Sequence, residues 1–252
     1  MAVEYAVAGS VATVTLNAPE RRNALSAELL GQLRRHLDTA EADPSVRSVV
    51  LSHTGPAFCS GMDLTAVTDV PADDQPINAF PVLLQRLWEY PKPVLARVAG
   101  KARAGGIGLI AASDLAIGSP AADFAFTEVR LGLVPAVISV PVLPRLLPRA
   151  ALELSLTGET FDATRAAEIG LLNRVVDDPD AEVARYTAMF DLAEPKALAA
   201  TKAMLRRDRS GLAMADDFAA MSALSAEYFA GPEAAEGIAA FREKRPPRWA
   251  SR

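Results

Sequence analysis

The chain has a single cysteine, Cys59, and only two histidines, His36 and His53, in 252 residues. A lone cysteine excludes an intrachain disulfide and a thiolate metal cluster. Two histidines give little support to a histidine metal site or a Ser-His-Asp triad, so no metal site is expected. His36, flanked by Arg34, Arg35 and Asp38, reads as part of a solvated helix face, and His53 sits where a strand meets a turn. Basic residues are outnumbered, 26 Lys and Arg against 31 Asp and Glu for a net charge of −5. No basic footprint for nucleic acid is present, although a local pocket for an anionic ligand is still allowed. Leu131 to Pro144 is the longest greasy stretch, and Pro135, Ser139 and Pro141 interrupt it. It falls short of the roughly 20 apolar residues that span a bilayer, so no membrane partner is expected. Met1 to Ser10 lacks the basic flank and apolar run of a signal peptide, which leads to the expectation of a cytoplasmic protein. Ser60 is not in a G-x-S-x-G elbow. An enzyme of this composition has to work with carboxylates and backbone dipoles.

What is present is ordinary globular stock, 50% hydrophobic and 23% charged, enough for a full core. Val11 to Leu16 alternates as a strand and Asn17-Ala18-Pro19 ends it. Ser26 is placed to cap a helix with Leu29, Leu30, Leu33 and Leu37 on one stripe. Arg47 to Leu51 reads as a buried strand and Asn78 to Tyr90 as a helix, with Pro81 assigned to its first turn. Val94 to Val98 is a further strand, Gly106 to Ala112 a short apolar helix, and Asp114 to Ile117 and Asp123 to Phe126 short strands. Helices are predicted over Ala150–Leu156, Ala163–Ile169, Ala181–Phe190, Pro195–Arg207, Ala213–Phe229 and Pro232–Arg242, with a strand near Leu172–Val176. Strands separated by helical crossovers argue for a mainly parallel α/β core. The change of texture near Glu194 divides the chain into a core over 1–193 and a helical region over 194–252.

Two glycine-bearing loops stand out. Ala57-Phe58-Cys59-Ser60-Gly61-Met62-Asp63-Leu64 follows a buried strand, and its small residues allow close backbone approach. Ala104-Gly105-Gly106-Ile107-Gly108 opens an apolar helix whose first N–H groups lack intrahelical partners, a local anion site. Gly106 to Ala111 also fits a loose dinucleotide fingerprint with Glu128 as the ribose acid, but the long helix and acid-ending strand that this requires are missing.

Taken in order, several segments resemble the crotonase (enoyl-CoA hydratase/isomerase) superfamily over nearly the whole chain. They are Asn23-Ala24-Leu25, the Ala57 to Leu64 loop, Ala104-Gly105-Gly106, Asp114 to Ile117, Phe126 to Pro135, Ala167 to Val176, Pro195 to Leu198 and Thr201-Lys202. The resemblance implies a crotonase (ClpP-like) ββα superhelix with a C-terminal helical trimerisation region, assembled as a homotrimer or dimer of trimers. It implies an acyl-CoA thioester substrate and no cofactor, coenzyme A being part of the substrate. By position it assigns the oxyanion-hole donors to the backbone N–H groups of Met62 and Gly105 and the proton carrier to Glu128. It places Arg22, Ala24, Ser60, Met62, Asp63, Leu64, Gly105 and Gly106 around the CoA and acyl groups.

Arg21 and Arg22 are candidates for CoA phosphates, with simple solvation as the alternative, and Asp63 reads as a backbone organiser. Arg206, Arg207 and Arg209 read as a solvated helix end, and Trp88 as core. Hydratases of the family use two glutamates, and the first of these maps to Gly108. One-glutamate members include Δ3,Δ2-enoyl-CoA isomerases, whereas G-I-G-L-I-A-A with T-E-V-R-L-G-L-V-P-A-V-I-S is also similar to bacterial methylglutaconyl-CoA-type hydratases. Hydration of a 2-enoyl-CoA is the leading expectation. Isomerisation and a non-catalytic acyl-CoA-binding homologue are the alternatives.

Overall fold

Alternation in Val11–Leu16 buries every second residue, and this strand, β2, pairs antiparallel with β1, Val3–Ala8. The structure, a computed structural model, describes residues 1–64, 76–206 and 214–249. Ser26 caps α1, Ala27–Ala42, accepting from the Leu29 N–H at 3.2 Å, and the Leu29, Leu30, Leu33 and Leu37 stripe is buried. The strand β3, Ser48–His53, is buried along its whole length because β2 and β5, Val94–Val98, flank it in parallel. With β7, Leu115–Gly118, and the two-residue β10, Arg174–Val175, they form a six-stranded sheet ordered β1-β2-β3-β5-β7-β10.

A second sheet is formed by β4, Ala57–Cys59, β6, Lys101–Arg103, β8, Asp123–Ala125, and β9, Phe161–Asp162. Of these only β8 was expected from the sequence, the others being too short to show alternation. Each of β3, β5 and β7 runs on after a brief turn into β4, β6 and β8 and then into a helix. Those helices are α2, Pro76–Trp88, α3, Gly105–Ala112, and α4, Ala136–Val142. Strand, strand, helix repeated this way is a ββα superhelix. Pro81 falls at the sixth position of α2 rather than in its first turn, a correction to the sequence reading. Its missing N–H leaves an earlier carbonyl of that helix without its usual partner. Leu172–Val176 shrinks to β10. His36 is not on a solvated face, because its ring stacks on Tyr5 at 5.2 Å.

After α5, Pro148–Thr157, α6, Ala163–Glu168, and α7, Pro179–Asp191, come the helices α8, Pro195–Leu205, α9, Met214–Phe229, and α10, Pro232–Glu243. The first of these is nailed to the core through a buried charge cluster, which overturns the solvated reading of Arg206. The side chain of Arg206 is 10% exposed and donates to Asp114 Oδ1 at 2.6 Å, to Trp88 O and to Ala112 O. Lys202 reaches Asp114 Oδ2 at 2.7 Å. Arg145 donates to the Ala111 and Ser113 carbonyls, and both guanidiniums lie over the Trp88 ring. Burial pulls Lys202 down to about 8 and Arg206 to about 10, with Asp114 opposing the fall. Arg207, Arg209 and Ala213 lie outside the described residues.

Asp114 therefore holds two desolvated cations together. Asp114→Ala is expected to lower the unfolding free energy by about 3 kcal/mol in denaturant melts, because a buried charge stripped of its partner is costly. A loss below about 1 kcal/mol would show the cluster to be solvated in practice.

Candidate active site

The two glycine loops meet because glycine is the only residue that lets them. Gly61 has φ +88, and a β-carbon there would lie 3.1 Å from Ala104 Cβ and 3.6 Å from Gly105 N. A β-carbon on Gly106 would sit 2.6 Å from the Cys59 carbonyl oxygen, and one on Gly105 2.7 Å from Leu25 Cδ1. Asn23 fixes the neighbouring turn with its buried amide, accepting from Ala18 N–H and donating to Thr54 O and Ala57 O. Leu25 and Met62 then form a parallel bridge: Leu25 N–H donates to Gly61 O at 2.8 Å and Asp63 N–H to Leu25 O at 3.2 Å. The bonds of such a bridge run through the residues flanking Met62, so its own N–H is left over.

Gly105 begins α3, where the first amides have no intrahelical acceptor. Ala104 just before it adopts φ +47 and ψ −115, a conformation that costs a residue with a β-carbon about 1–3 kcal/mol. It is held by its N–H to Ala125 O and by the Ile107 N–H to its own carbonyl. Among the described residues neither Met62 N–H nor Gly105 N–H finds an acceptor. Both residues line one pocket.

Glu128 lines the same pocket from a one-turn 3-10 helix, Glu128–Leu131, that follows β8. The residue is 8% exposed, and its Oε2 has no hydrogen-bond partner. Burial pushes its carboxyl from 4.5 up to about 7. A carboxyl poised there exchanges protons readily near neutrality.

Of the residues singled out from sequence, Ser60, Met62, Leu64, Gly105 and Glu128 line the pocket, whereas Arg22, Ala24, Asp63 and Gly106 support it from outside. Arg22 is exposed, and its carbonyl accepts from Ser60 N–H. Asp63 is buried and paired with Arg21 at 3.4 Å. Trp88 is buried, as read, beneath the charge cluster and does not line the pocket. His53 accepts from Ala99 N–H through Nε2, and desolvation lowers its pKa. Among the described residues no group of His, Cys, Asp or Glu could hold a metal ion, and no helix is long and apolar enough to cross a membrane.

The sequence reading missed Phe80, Ile138, Ser225 and Phe229, which close the pocket from α2, α4 and α9. Only the apolar phase of α4 hinted at Ile138. A β-carbon on Gly108 would lie 2.8 Å from Ile138 Cγ2 and 3.4 Å from Leu84 Cδ1. The space beside Gly108, where the resemblance implies a first glutamate, is therefore filled with hydrocarbon.

Residues 6–252 match the profile of the family described as enoyl-CoA hydratase/isomerase. The chain belongs to that family, in the crotonase superfamily. Enoyl-CoA hydratase EchA19 of Mycobacterium tuberculosis is 32% identical over 254 residues, covering 97% of this chain and 94% of the relative. The 1,2-epoxyphenylacetyl-CoA isomerase of Escherichia coli is 32% identical over 253 residues, covering 95% and 94%. Among solved structures, an enoyl-CoA hydratase from Mycobacterium avium superposes with a TM-score of 0.87 at 41% identity, covering 99% of both chains. The expected superfamily and its mixed α/β fold are thus the observed ones, and relatives named as an enoyl-CoA hydratase and as an epoxyphenylacetyl-CoA isomerase align along nearly the full chain.

Proposed function

We propose that this family member hydrates a 2-enoyl-CoA thioester. The observation that carries the reading is Glu128, a buried carboxyl without a partner, in an apolar pocket shared with two unused backbone donors. In the proposed reaction the Glu128 carboxylate takes a proton from water as the water oxygen bonds to C3 of the substrate. The C2=C3 electron pair shifts toward C2, and charge gathers on the thioester oxygen, which the Met62 and Gly105 N–H groups hold as an enolate. The carbonyl then re-forms while Glu128 returns the proton to C2. One carboxyl acts as base and then as acid, and the sum is one water added. Donors of this kind are worth about 3–4 kcal/mol of barrier each.

Isomerisation is the second reading, favoured by Ile138 occupying the space beside Gly108. It needs Glu128 only to carry a proton between carbons. The proposal includes association as a homotrimer or dimer of trimers through the C-terminal helical region, where Leu205 and Phe241 are 74% and 58% exposed.

The test is hydration of crotonyl-CoA beside isomerisation of a 3-enoyl-CoA. Hydration is expected, with kcat/KM rising about tenfold per pH unit below pH 7 and levelling above it, because the resting carboxyl must be ionised. Turnover of the 3-enoyl substrate alone would replace the hydratase reading with the isomerase one. Tight thioester binding with no turnover of either would make the chain a binding homologue.

A further inference from the structure

The pocket holds a second buried polar group that its apolar surroundings do not explain. Ser225, on α9, is 8% exposed and lines the pocket with Glu128. One turn earlier, Ser222 bonds back to the Phe218 carbonyl at 2.7 Å, the usual fate of a serine in a helix. Ser225 makes no such bond and has no other partner among the described residues. The pocket's other polar side chains besides Glu128, those of Ser60 and Thr127, are half-buried and nearer solvent. Glu128 Oε2 is thus buried without a partner, and Ser225, whose hydroxyl makes no bond to the described residues, lines the same cavity, walled by Phe80, Ile138 and Phe229. A buried carboxyl oxygen without a partner is costly, so Glu128 is normally completed by something outside the chain, and an unbonded hydroxyl on the same cavity is free to share it. A confined water needs at least two polar partners, and Glu128 alone supplies one side. Ile138 closes the Gly108 side.

We propose that the Ser225 hydroxyl is the second holder of the reacting water, accepting one of its protons while Glu128 accepts the other. Ser225 stays a hydroxyl throughout: it orients the water oxygen toward C3, and the proton that leaves goes to Glu128. The proposal rests on the hydration reading and adds to it the residue that stands in for a second acid, supplied by the C-terminal region rather than by the helix that carries Gly108.

The experiment measures crotonyl-CoA hydration by wild type and Ser225→Ala, with Tm and the Kd for butyryl-CoA, a saturated thioester that needs no water. The expected result is a fall in kcat of about 10- to 100-fold with KM, Kd and Tm unchanged. An unchanged kcat overturns the proposal. So does a rise in KM and Kd with kcat retained, which would make Ser225 a contact to the acyl chain, or a loss that follows a fall in Tm. A wild type that hydrates no enoyl-CoA overturns the hydration reading itself, and is distinguished by failing before any variant is compared.

Discussion

Glu128→Gln should remove turnover and at the same time make the protein more stable in alkaline solution. General acid–base groups contribute about 10²–10⁴ in rate, and Glu128 performs both proton transfers in the proposed reaction, so a loss of at least about 10³ in kcat is expected. The stability gain follows from the same burial. Glu128 has its carboxyl raised from 4.5 to about 7 by desolvation, so the folded protein prefers it protonated. Below pH 4.5 folded and unfolded chains both carry the proton and nothing is lost. Between pH 4.5 and 7 the unfolded chain ionises first, and folding stability falls as pH rises. Above pH 7 the deficit is complete, at most about 3 kcal/mol. Glutamine is neutral at every pH and escapes it. At pH 8 the variant should melt up to roughly 6 °C above wild type, while at pH 4.5 the two should melt together. Calorimetry at the two pH values decides. A variant no more stable at pH 8 would mean that the carboxyl is solvated, and with it the reason for a pKa near neutrality would go.

How much of this was legible without coordinates depended on whether the signal was local. The cap at Ser26, the leucine stripe of α1 and the buried run of β3 are written in consecutive residues, and they formed as read. The two glycine loops were legible as backbone features, because only close approach explains such small residues beside a strand end and a helix start. Their meeting point was not, since it depends on β4 and β6, strands of three residues stabilised by neighbours distant in sequence. Arg206 was misread for a related reason. In sequence it opens the basic run Arg206-Arg207-Asp208-Arg209, and only the fold brings it against Asp114 and the face of Trp88. Ile138 lies near the end of the T-E-V-R-L-G-L-V-P-A-V-I-S segment with nothing to mark it as a pocket wall, and Ser225 lies in no motif. A serine in an amphipathic helix looks the same in sequence whether it bonds its own carbonyls or faces a cavity. The departure at Gly108 was visible as a missing acid, yet what took its place could be seen only in the packing of α4 on α3.

The second large effect concerns a single β-carbon. Gly106 lies in α3 at no special φ, and replacing a helical glycine by alanine ordinarily stabilises by about 1 kcal/mol. Here the opposite is expected. The added carbon would lie 2.6 Å from the Cys59 carbonyl oxygen and 2.9 Å from Cys59 Cβ, and the oxygen belongs to backbone at the end of β4, not to a side chain that can turn aside. Either the start of α3 or the Ser60-Gly61-Met62 segment has to retreat, and each carries one of the two proposed donors. Gly106→Ala should therefore lower stability by about 1–3 kcal/mol, the usual cost of overpacking. It should also lower kcat by about 10²–10³, the worth of one misplaced donor, with KM little changed because the lost contact strengthens as charge develops. Gly105→Ala offers the contrast. Its nearest obstruction is Leu25 Cδ1, the end of a flexible side chain, so its stability cost should be the smaller of the two. If Gly106→Ala proved more stable than wild type and equally active, the two loops would not be in backbone contact. The Met62 and Gly105 N–H groups would then have no fixed spacing with which to grip an enolate.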